Sequence, residues 1–230
     1  MVAFMIFLPP DVQWRTPVCE ITAAGYKAEN ERLRERILEL EMERNRFLEA
    51  EATNQQLRHL LDFRSHLPAA GITASIIANS ASNWFQSCSI DKGTADGVRK
   101  GMSVVTPLGV VGRVVDVAAR SAKVLLLTDP NSGIDVMVQR TRARGIVSGS
   151  LENGTVLKYI KRTEDVQVGD RLITSGLDGV FLKGLMVGTI TKVRKESLGL
   201  FQVIEVMPAV SLARTEIVLV VSAEGRSAAK

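Results

Sequence analysis

The feature that most constrains the fold is a long stretch of helix-forming residues near the N-terminus. From Ala23 to Ser65 the sequence contains no proline, and Gly25 is its only glycine. Glu, Arg, Leu, Asn and Gln dominate this stretch, and most of these residue types form helices readily. A helix of about 40 residues would be about 60 Å long. The sequence therefore predicts one uninterrupted helix over residues 23–66, ended by Pro68.

Apolar residues recur along this helix at alternating spacings of four and three, interrupted by polar Asn30 and Arg44. The heptad pattern slips by one residue at Ala50 and then continues through Asn54. A narrow apolar stripe favours pairing with a second copy, because core helices usually carry a wider stripe. A helix that folds back on its own domain is the alternative. The predicted dimer seam consists of Tyr26, Leu33, Ile37, Leu40, Phe47, Leu57 and Leu61.

The first ten residues, MVAFMIFLPP, are apolar but end at Pro9–Pro10. Eight residues of helix reach about 12 Å, whereas the hydrocarbon core of a bilayer is about 30 Å thick. The stretch contains no lysine or arginine, so it lacks the charged start of a secretory signal. We interpret residues 1–22 as an apolar N-terminal segment and leave two alternatives open. It is either the remnant of a membrane anchor, or a strand or irregular apolar tail.

Short segments rich in Val, Ile and Thr follow the helix, each bounded by Gly, Pro, Asn or Asp. About a dozen of them lie between residues 72 and 221, which is typical of all-β sandwiches and barrels. The predicted fold class is mostly β with one long α-helix: an N-terminal coiled coil followed by two small β-barrel domains. We place the first barrel at 72–148, the second at 149–222 and a flexible tail at 223–230. An insertion of one barrel in the other remains open.

The glycine-rich stretch GDRLITSGLDGVFLKGLMVG, residues 169–188, is best explained by turns between strands. A phosphate-binding loop needs Lys and Ser or Thr directly after its glycines, and Ser175 lacks the preceding glycine of a nucleophile elbow. The only histidines, His59 and His66, lie at the end of the predicted helix, and Cys19 and Cys88 are isolated. We therefore predict no catalytic residue, no cofactor and no metal site.

The segment RTRAR contains three arginines at every second position, Arg140, Arg142 and Arg144. On a strand this spacing places all three side chains on one face. The functional interpretation is a basic face that meets an acidic partner or an anionic polymer. The alternative is an edge strand that its charges protect from pairing with other chains.

Several motifs follow one another from the helix to the last strand: NQQLRHLLDFR, SIDKGTADGVRKGMSVVTPLGVVGRVVDV, SAKVLLLTD, GIVSG, VQVGDRLITSGLDGVFLKG and EIVLVV. In their order and spacing they resemble the rod shape-determining MreC family over about residues 20–221. Leu182 and Met186 stand where that family usually has prolines. The resemblance assigns family-motif turns to Asp91, Gly93, Gly97, Gly101, Gly109, Gly112, Gly169, Asp170, Thr174, Ser175, Gly176, Gly184 and Gly188.

The resemblance implies a protein anchored in the cytoplasmic (inner) membrane, with its coiled coil and barrels on the periplasmic or extracytoplasmic side. Members of the family are non-enzymatic scaffolds of the cell-elongation machinery, the elongasome. They maintain rod shape by organising and activating peptidoglycan synthases. The implied partners are a second copy of the chain or a higher self-assembly, the elongation-specific penicillin-binding transpeptidase, MreD, RodZ and, indirectly, MreB.

Two other classes of protein fit parts of the sequence. A periplasmic adaptor of an export system also joins a coiled coil to β-domains, but it needs a descending and a returning helix. A nucleic-acid-binding barrel would suit the net charge of +4, yet only 5% of the residues are aromatic. Because base stacking relies on aromatic side chains, no nucleic-acid partner is expected.

Overall fold

The computed structural model describes residues 17–67, 71–81, 85–150, 154–194 and 200–222. The chain divides between Gln55 and Gln56 into two compact units. Most of the apolar segment at 1–22 lies outside the described residues, as does the tail at 223–230. None of the helices in the described ranges combines the length and the apolar character that crossing a membrane requires.

One α-helix, α1, runs over Pro17–His66 and so begins six residues before the predicted start. Its first part, up to Gln55, constitutes the first unit. Its last turns belong to the second unit, where Leu60 is only 5% exposed. Phe63 and Leu67 pack against the same apolar cluster as Leu60. The end of the helix is therefore part of a core that the heptad pattern did not reveal.

The described residues after the helix form twelve strands, and each overlaps one of the segments that the sequence predicts as strand. Two short 3-10 helices, Thr94–Asp96 and Leu212–Arg214, lie among them. The strands are β1 (Gly71–Ala81), β2 (Gln86–Ile90), β3 (Ser103–Thr106), β4 (Gly109–Val117), β5 (Ala122–Leu126), β6 (Ile134–Val138), β7 (Arg144–Ser150), β8 (Gly154–Lys158), β9 (Arg171–Thr174), β10 (Met186–Arg194), β11 (Val203–Pro208) and β12 (Ile217–Val221).

These strands form two closed antiparallel barrels of six strands each. The order around the first barrel is β1-β12-β3-β4-β5-β2, and around the second it is β10-β11-β8-β7-β6-β9. The structure is thus one long helix followed by two small barrels, and the predicted fold class is confirmed.

The second barrel is inserted in the first, between β5 and β12. The predicted boundary between residues 148 and 149 is wrong, because it cuts β7 and assigns β12 to the second barrel. The physical reason is that β12 pairs with strands far away in the chain. Val220 lies opposite Ile72 of β1 and Val104 of β3. An insertion, which the sequence left open, is the observed arrangement.

Where the two barrels meet, β3 and β12 of the first barrel are apolar on both faces. Successive residues of these strands contribute to different apolar clusters. Val104 belongs to the core of the first barrel, whereas Val105 belongs to a cluster shared with the second barrel. The same alternation separates Val220 from Leu219. Since strand side chains alternate between faces, the continuous run IVLVV is explained by burial on both sides. The two barrels therefore share one apolar cluster, and the first barrel has a second core of its own.

Backbone contact reinforces this shared core at Gly109. Its φ is 152°, and a Cβ atom there would lie 2.3 Å from the carbonyl oxygen of Met186 in β10. Ala209, which follows β11, donates its N–H to the carbonyl of Val187 at 3.0 Å. Glycine is therefore required where the turn between β3 and β4 meets the second barrel.

Candidate interaction surface

The three predicted basic residues do not share one strand face. Arg140 and Arg142 lie in the turn between β6 and β7, and only Arg144 is in a strand. Arg142 has a φ of 63°, in the left-handed region that residues other than glycine seldom adopt. The prediction of a single basic stripe is wrong, because the chain reverses direction inside the RTRAR segment.

Arg140 is held by two carboxylates of the segment that precedes β9. Its Nε and Nη2 atoms donate to the two carboxylate oxygens of Asp170, each at 2.9 Å. Its Nη1 atom donates to Asp165 at 2.6 Å. Two parallel hydrogen bonds to one carboxylate define the orientation of the guanidinium group. Arg140 therefore fastens the β6–β7 turn to the 165–170 segment.

Charge pairing in this network changes the ionisation of its members. The hydrogen bond from Arg140 lowers the pKa of Asp170, which is almost fully buried. The same donor lowers the pKa of Asp165, with a smaller contribution from Gln167. Conversely, hydrogen bonds to Asp170 and then to Asp165 raise the pKa of Arg140. Arg140 is already satisfied within the chain and is a poor candidate for contact with a partner.

Arg142 and Arg144 lie on another part of this surface, in a groove of about 410 Å³. None of the salt bridges formed among the described residues involves Arg142, Arg144 or Lys161. The groove therefore presents cationic groups that a partner could neutralise. Its lining residues are Thr141, Arg142, Ala143, Arg144, Tyr159, Lys161 and Glu164.

Two exposed aromatic side chains lie beside these cations. The ring centroids of Tyr159 and Phe201 are 5.8 Å apart, with an angle of 87° between the ring planes. Tyr159 is 57% exposed and Phe201 is 44% exposed, and the preceding residue, Leu200, is 80% exposed. The chain contains only two tyrosines and seven phenylalanines, so this exposure is not a by-product of an aromatic-rich composition.

A buried glutamine organises the backbone beneath this surface. The Nε2 atom of Gln202 donates to the carbonyls of Lys161 and Glu164, each at 2.9 Å. The Gln202 N–H donates to the carbonyl of Ile160, also at 2.9 Å. Tyr159 has a φ of 66°, which is rare for a bulky residue. These contacts define the shape of the 159–164 loop.

The sequence alone did not identify Tyr159, Lys161, Phe201 or Gln202 as functional residues. Tyr159 and Phe201 are 42 positions apart in the sequence, and their segments are joined by an isolated bridge between Lys161 and Phe201 and by the hydrogen bonds of Gln202. The single usable signal was an aromatic residue within a basic segment, YIKR, in a chain with few aromatics.

The family-motif turn residues occupy several kinds of position. Thr174, at the end of β9, uses its hydroxyl both to donate to the Leu182 carbonyl at 2.5 Å and to accept from the Leu185 N–H at 2.9 Å. Gly112 and Gly188 are not turn residues, because they lie inside β4 and β10. At Gly112 a Cβ would lie 2.0 Å from the Leu125 carbonyl oxygen, so close strand contact explains the glycine.

Ser175 has the surroundings of a structural residue. It is buried, and its Oγ accepts a hydrogen bond from the Leu177 N–H at 3.2 Å. Both histidines of the chain lie in α1, outside the strand region. Among the described residues, no group of three or more His, Cys, Asp or Glu side chains could hold a metal ion.

The predicted seam residues all lie in α1 and are exposed in the single chain. Leu33, Ile37 and Leu40 are each about half exposed, and Tyr26 and Phe47 are more so. Such a row of apolar side chains is compatible with a helix that pairs with another chain. The seam remains a prediction.

Comparisons with known proteins agree on one family. The profile "Rod shape-determining protein MreC, barrel core" matches residues 76–222. The cell shape-determining protein MreC of Listeria monocytogenes is 34% identical over 193 residues, covering 80% of this chain and 64% of the relative. The Escherichia coli K12 protein of that name is 30% identical over 202 residues, covering 87% of this chain and 55% of the relative. The matched region thus spans between 55% and 64% of the length of these relatives.

Solved structures show the same fold. A structure described as MreC superposes with a TM-score of 0.70 at 34% identity, covering 75% of this chain and 98% of the other. MreC from Pseudomonas aeruginosa gives a TM-score of 0.62 at 34% identity, covering 65% and 97%. A complex between penicillin-binding protein PBP2 and MreC from Helicobacter pylori gives 0.53 at 16% identity, covering 66% of this chain and 98% of the matched one. At that identity the likeness concerns the fold alone.

Proposed function

Because this chain belongs to the rod shape-determining protein MreC family, we propose that it is a non-enzymatic, membrane-associated scaffold of bacterial cell elongation. In this role it maintains rod shape by organising and activating peptidoglycan synthases. The observation that carries the proposal is the family match over residues 76–222, which includes almost all of both barrels. The relatives that match along this region are named as cell shape-determining proteins.

The proposed synthase partner is the elongation-specific penicillin-binding transpeptidase. Support comes from the Helicobacter pylori structure, which is described as a complex of MreC with a penicillin-binding protein. The double barrel of this chain offers a scaffold of the same fold, with an apolar cluster shared between the two barrels. A scaffold of this kind acts by protein–protein contact.

The proposal of a non-enzymatic role rests on the chemistry of the barrels. Ser175 is engaged in a turn, and neither histidine of the chain is in a strand. A serine hydrolase would need a base within hydrogen-bond reach of its nucleophile. Labelling of the protein by a serine-reactive fluorophosphonate, if abolished by Ser175→Ala, would contradict this part of the proposal.

We further propose that the protein is held at the cytoplasmic membrane, with its barrels on the periplasmic or extracytoplasmic side. In that location it would pair with a second copy through α1 and connect MreD, RodZ and, indirectly, MreB to the synthases. These partners are proposed on the basis of family membership. An export-system adaptor is less well supported, because α1 is the only α-helix in the described part of the chain and such adaptors need two.

Depletion of the protein from growing cells, followed by its re-expression, tests the proposed function. After depletion of the protein, cells should become round, and re-expression should restore their length-to-width ratio. Incorporation of a fluorescent D-amino acid into the side wall should fall and recover in parallel. Cells that keep their rod shape and side-wall incorporation throughout depletion would refute the scaffold proposal.

A further inference from the structure

We propose that the groove around Arg142, Arg144 and Lys161, together with the Tyr159–Phe201 pair, binds an acidic segment of a protein partner that carries an apolar side chain. We call these residues and Leu200 the basic–aromatic surface. The inference rests on the proposed function only in taking that partner from the peptidoglycan-synthesis machinery.

The charge of the groove identifies the ionic part of the partner. Arg142, Arg144 and Lys161 line it with three cations, and Glu164 supplies its single carboxylate. Arg140, two residues before Arg142, is paired with Asp165 and Asp170, so the excess positive charge of the groove comes from Arg142, Arg144 and Lys161. Facing charges of opposite sign accelerate encounter and exclude partners of the same sign. The complementary segment is therefore acidic.

The exposed apolar side chains identify the second part of the partner. Tyr159 lines the groove with the cations, and Phe201 contacts Tyr159 and pairs with Lys161 through a backbone bridge. Tyr159, Phe201 and the preceding Leu200 are all exposed to solvent. Aromatic and arginine side chains are enriched at the energetic centres of protein interfaces. The two rings are nearly perpendicular, so they do not present one flat platform for stacking. Leu200 precedes Phe201, and its carbonyl accepts a hydrogen bond from the Arg162 N–H at 3.1 Å, next to Lys161. These features favour a protein segment with a projecting apolar side chain.

The surface is shaped before any partner arrives. Gln202 is 2% exposed and fastens the loop through the carbonyls of Lys161 and Glu164. Both non-glycine residues with positive φ among those described, Arg142 and Tyr159, line this one groove. Backbone conformations of this kind persist only where the surroundings impose them, and they concentrate at binding and catalytic sites. A preformed surface loses less conformational freedom on binding.

Binding to a purified partner tests this inference. The probe is the extracytoplasmic part of the elongation-specific penicillin-binding transpeptidase from the same cells, with the full chain immobilised for kinetic measurement. Arg142→Glu with Arg144→Glu should weaken binding about tenfold or more, because it places like charges against the partner. Leu200→Ala should weaken it by about fivefold. Raising the ionic strength should weaken wild-type binding more than binding of the charge variant.

Two matched controls separate the surface from general effects of charge and hydrophobicity. Arg99→Glu with Lys100→Glu makes the same charge change in an exposed turn of the first barrel. Leu108→Ala removes a similarly exposed leucine from the turn between β3 and β4. Both should bind the probe as wild type does. Unchanged circular dichroism of every variant shows that the barrels remain folded.

Each other result overturns the inference. Equal binding of the wild type and the charge variant would place the contact elsewhere while leaving the scaffold function intact. If the wild type fails to bind the probe, the proposed partner class is wrong. If it binds phosphatidylglycerol vesicles or purified sacculi instead, and loses this with Arg142→Glu and Arg144→Glu, the surface serves an anionic lipid or polymer. The proposed function is tested separately from these outcomes, by whether re-expression of the protein restores rod shape in depleted cells.

Discussion

The buried carboxylate of Asp129 accepts a hydrogen bond from the backbone N–H of Gln86, with 2.6 Å between nitrogen and Oδ2. Asp129 is fully buried in the crossover from the first barrel to the second, whereas Gln86 begins β2 of the first barrel. The other carboxylate oxygen accepts from the Asn131 N–H at 2.7 Å, and the Asp129 carbonyl accepts from Gly149 in the second barrel at 3.0 Å. One residue thus connects the crossover to both barrels.

Asp129→Asn should therefore destabilise the barrels. The amide can accept through only one oxygen, so either the Gln86 or the Asn131 N–H then faces an NH₂ group. A buried donor without an acceptor costs about 1–3 kcal/mol in the free energy of unfolding, which urea denaturation measures. Asp116→Asn, at an exposed position of β4, should change it by less than about 0.5 kcal/mol. Equal effects of the two substitutions would contradict the structural role of Asp129.

The strands were predictable because their signals are local. Runs of Val and Ile bounded by turn residues mark β12 as clearly as β3, and both were identified from sequence. Which barrel each strand joins was not predictable. The pairing of Val220 with Val104 joins residues far apart in the chain, and both barrels have strands of the same composition. The inserted topology needed information about contacts between distant residues.

The candidate surface was predictable only in part. Arg142 and Arg144 were identified, but as members of one strand face that also included Arg140, since QRTRAR contains none of the residues that usually mark a turn. In the structure only Arg144 is in a strand. The positive φ of Arg142 is imposed by its surroundings rather than by its own preference. The aromatic pair depends on the contacts of Gln202 with the 159–164 loop, which no local pattern encodes.

Arg140→Met should give a pH-dependent loss of stability. In the folded protein, Arg140 holds the pKa values of Asp165 and Asp170 below their ordinary range. The ion pairs therefore stabilise the fold at any pH above the pKa values that these aspartates have in the unfolded chain. This stabilisation is lost as the pH falls through the lowered values. The melting temperature of the variant should lie below that of the wild type at pH 7, and the difference should shrink below about pH 4.

Arg120→Met is the control for this pH series, because Arg120 is exposed and forms none of the salt bridges recorded among the described residues. Its melting temperature should follow that of the wild type across the whole series. A difference between Arg140→Met and wild type that stays constant from pH 7 to pH 2 would show that packing, not ion pairing, explains the loss.

Gly109→Ala should be more damaging than Gly101→Ala. Both glycines have positive φ, so alanine is strained at either position, by about 1–2 kcal/mol. At Gly101 the space for a Cβ is open, whereas at Gly109 the Met186 carbonyl oxygen would be 2.3 Å away. The backbone between the barrels must then move. In urea denaturation, the free energy of unfolding of Gly109→Ala should be lower than that of Gly101→Ala by at least about 1 kcal/mol. Equal free energies would show that the contact between Gly109 and the Met186 carbonyl is not rigid.

Leu33→Asp with Leu40→Asp should convert the proposed dimer into a monomer, as measured by light scattering. Burying each leucine across a helix seam stabilises the pair by about 1.5–3 kcal/mol. Aspartate removes this contribution and adds the cost of burying a charge. The barrels should keep their β circular dichroism and thermal transition, because α1 contributes to their core only near its end, through Leu60 and Phe63. In cells the variant should become round, because a monomer cannot present two binding surfaces at once.

Leu38→Asp with Met42→Asp is the matched control for this experiment. Both side chains are exposed on the same helix, but they lie off the predicted seam. The control introduces the same two charges and similarly weak helix formers, so a loss of helix alone would affect both variants alike. A dimer in the control and a monomer in the seam variant would locate self-association in Leu33 and Leu40. If the seam variant remains a dimer, self-association lies outside this seam; if its barrels unfold, residues before Gln55 stabilise them.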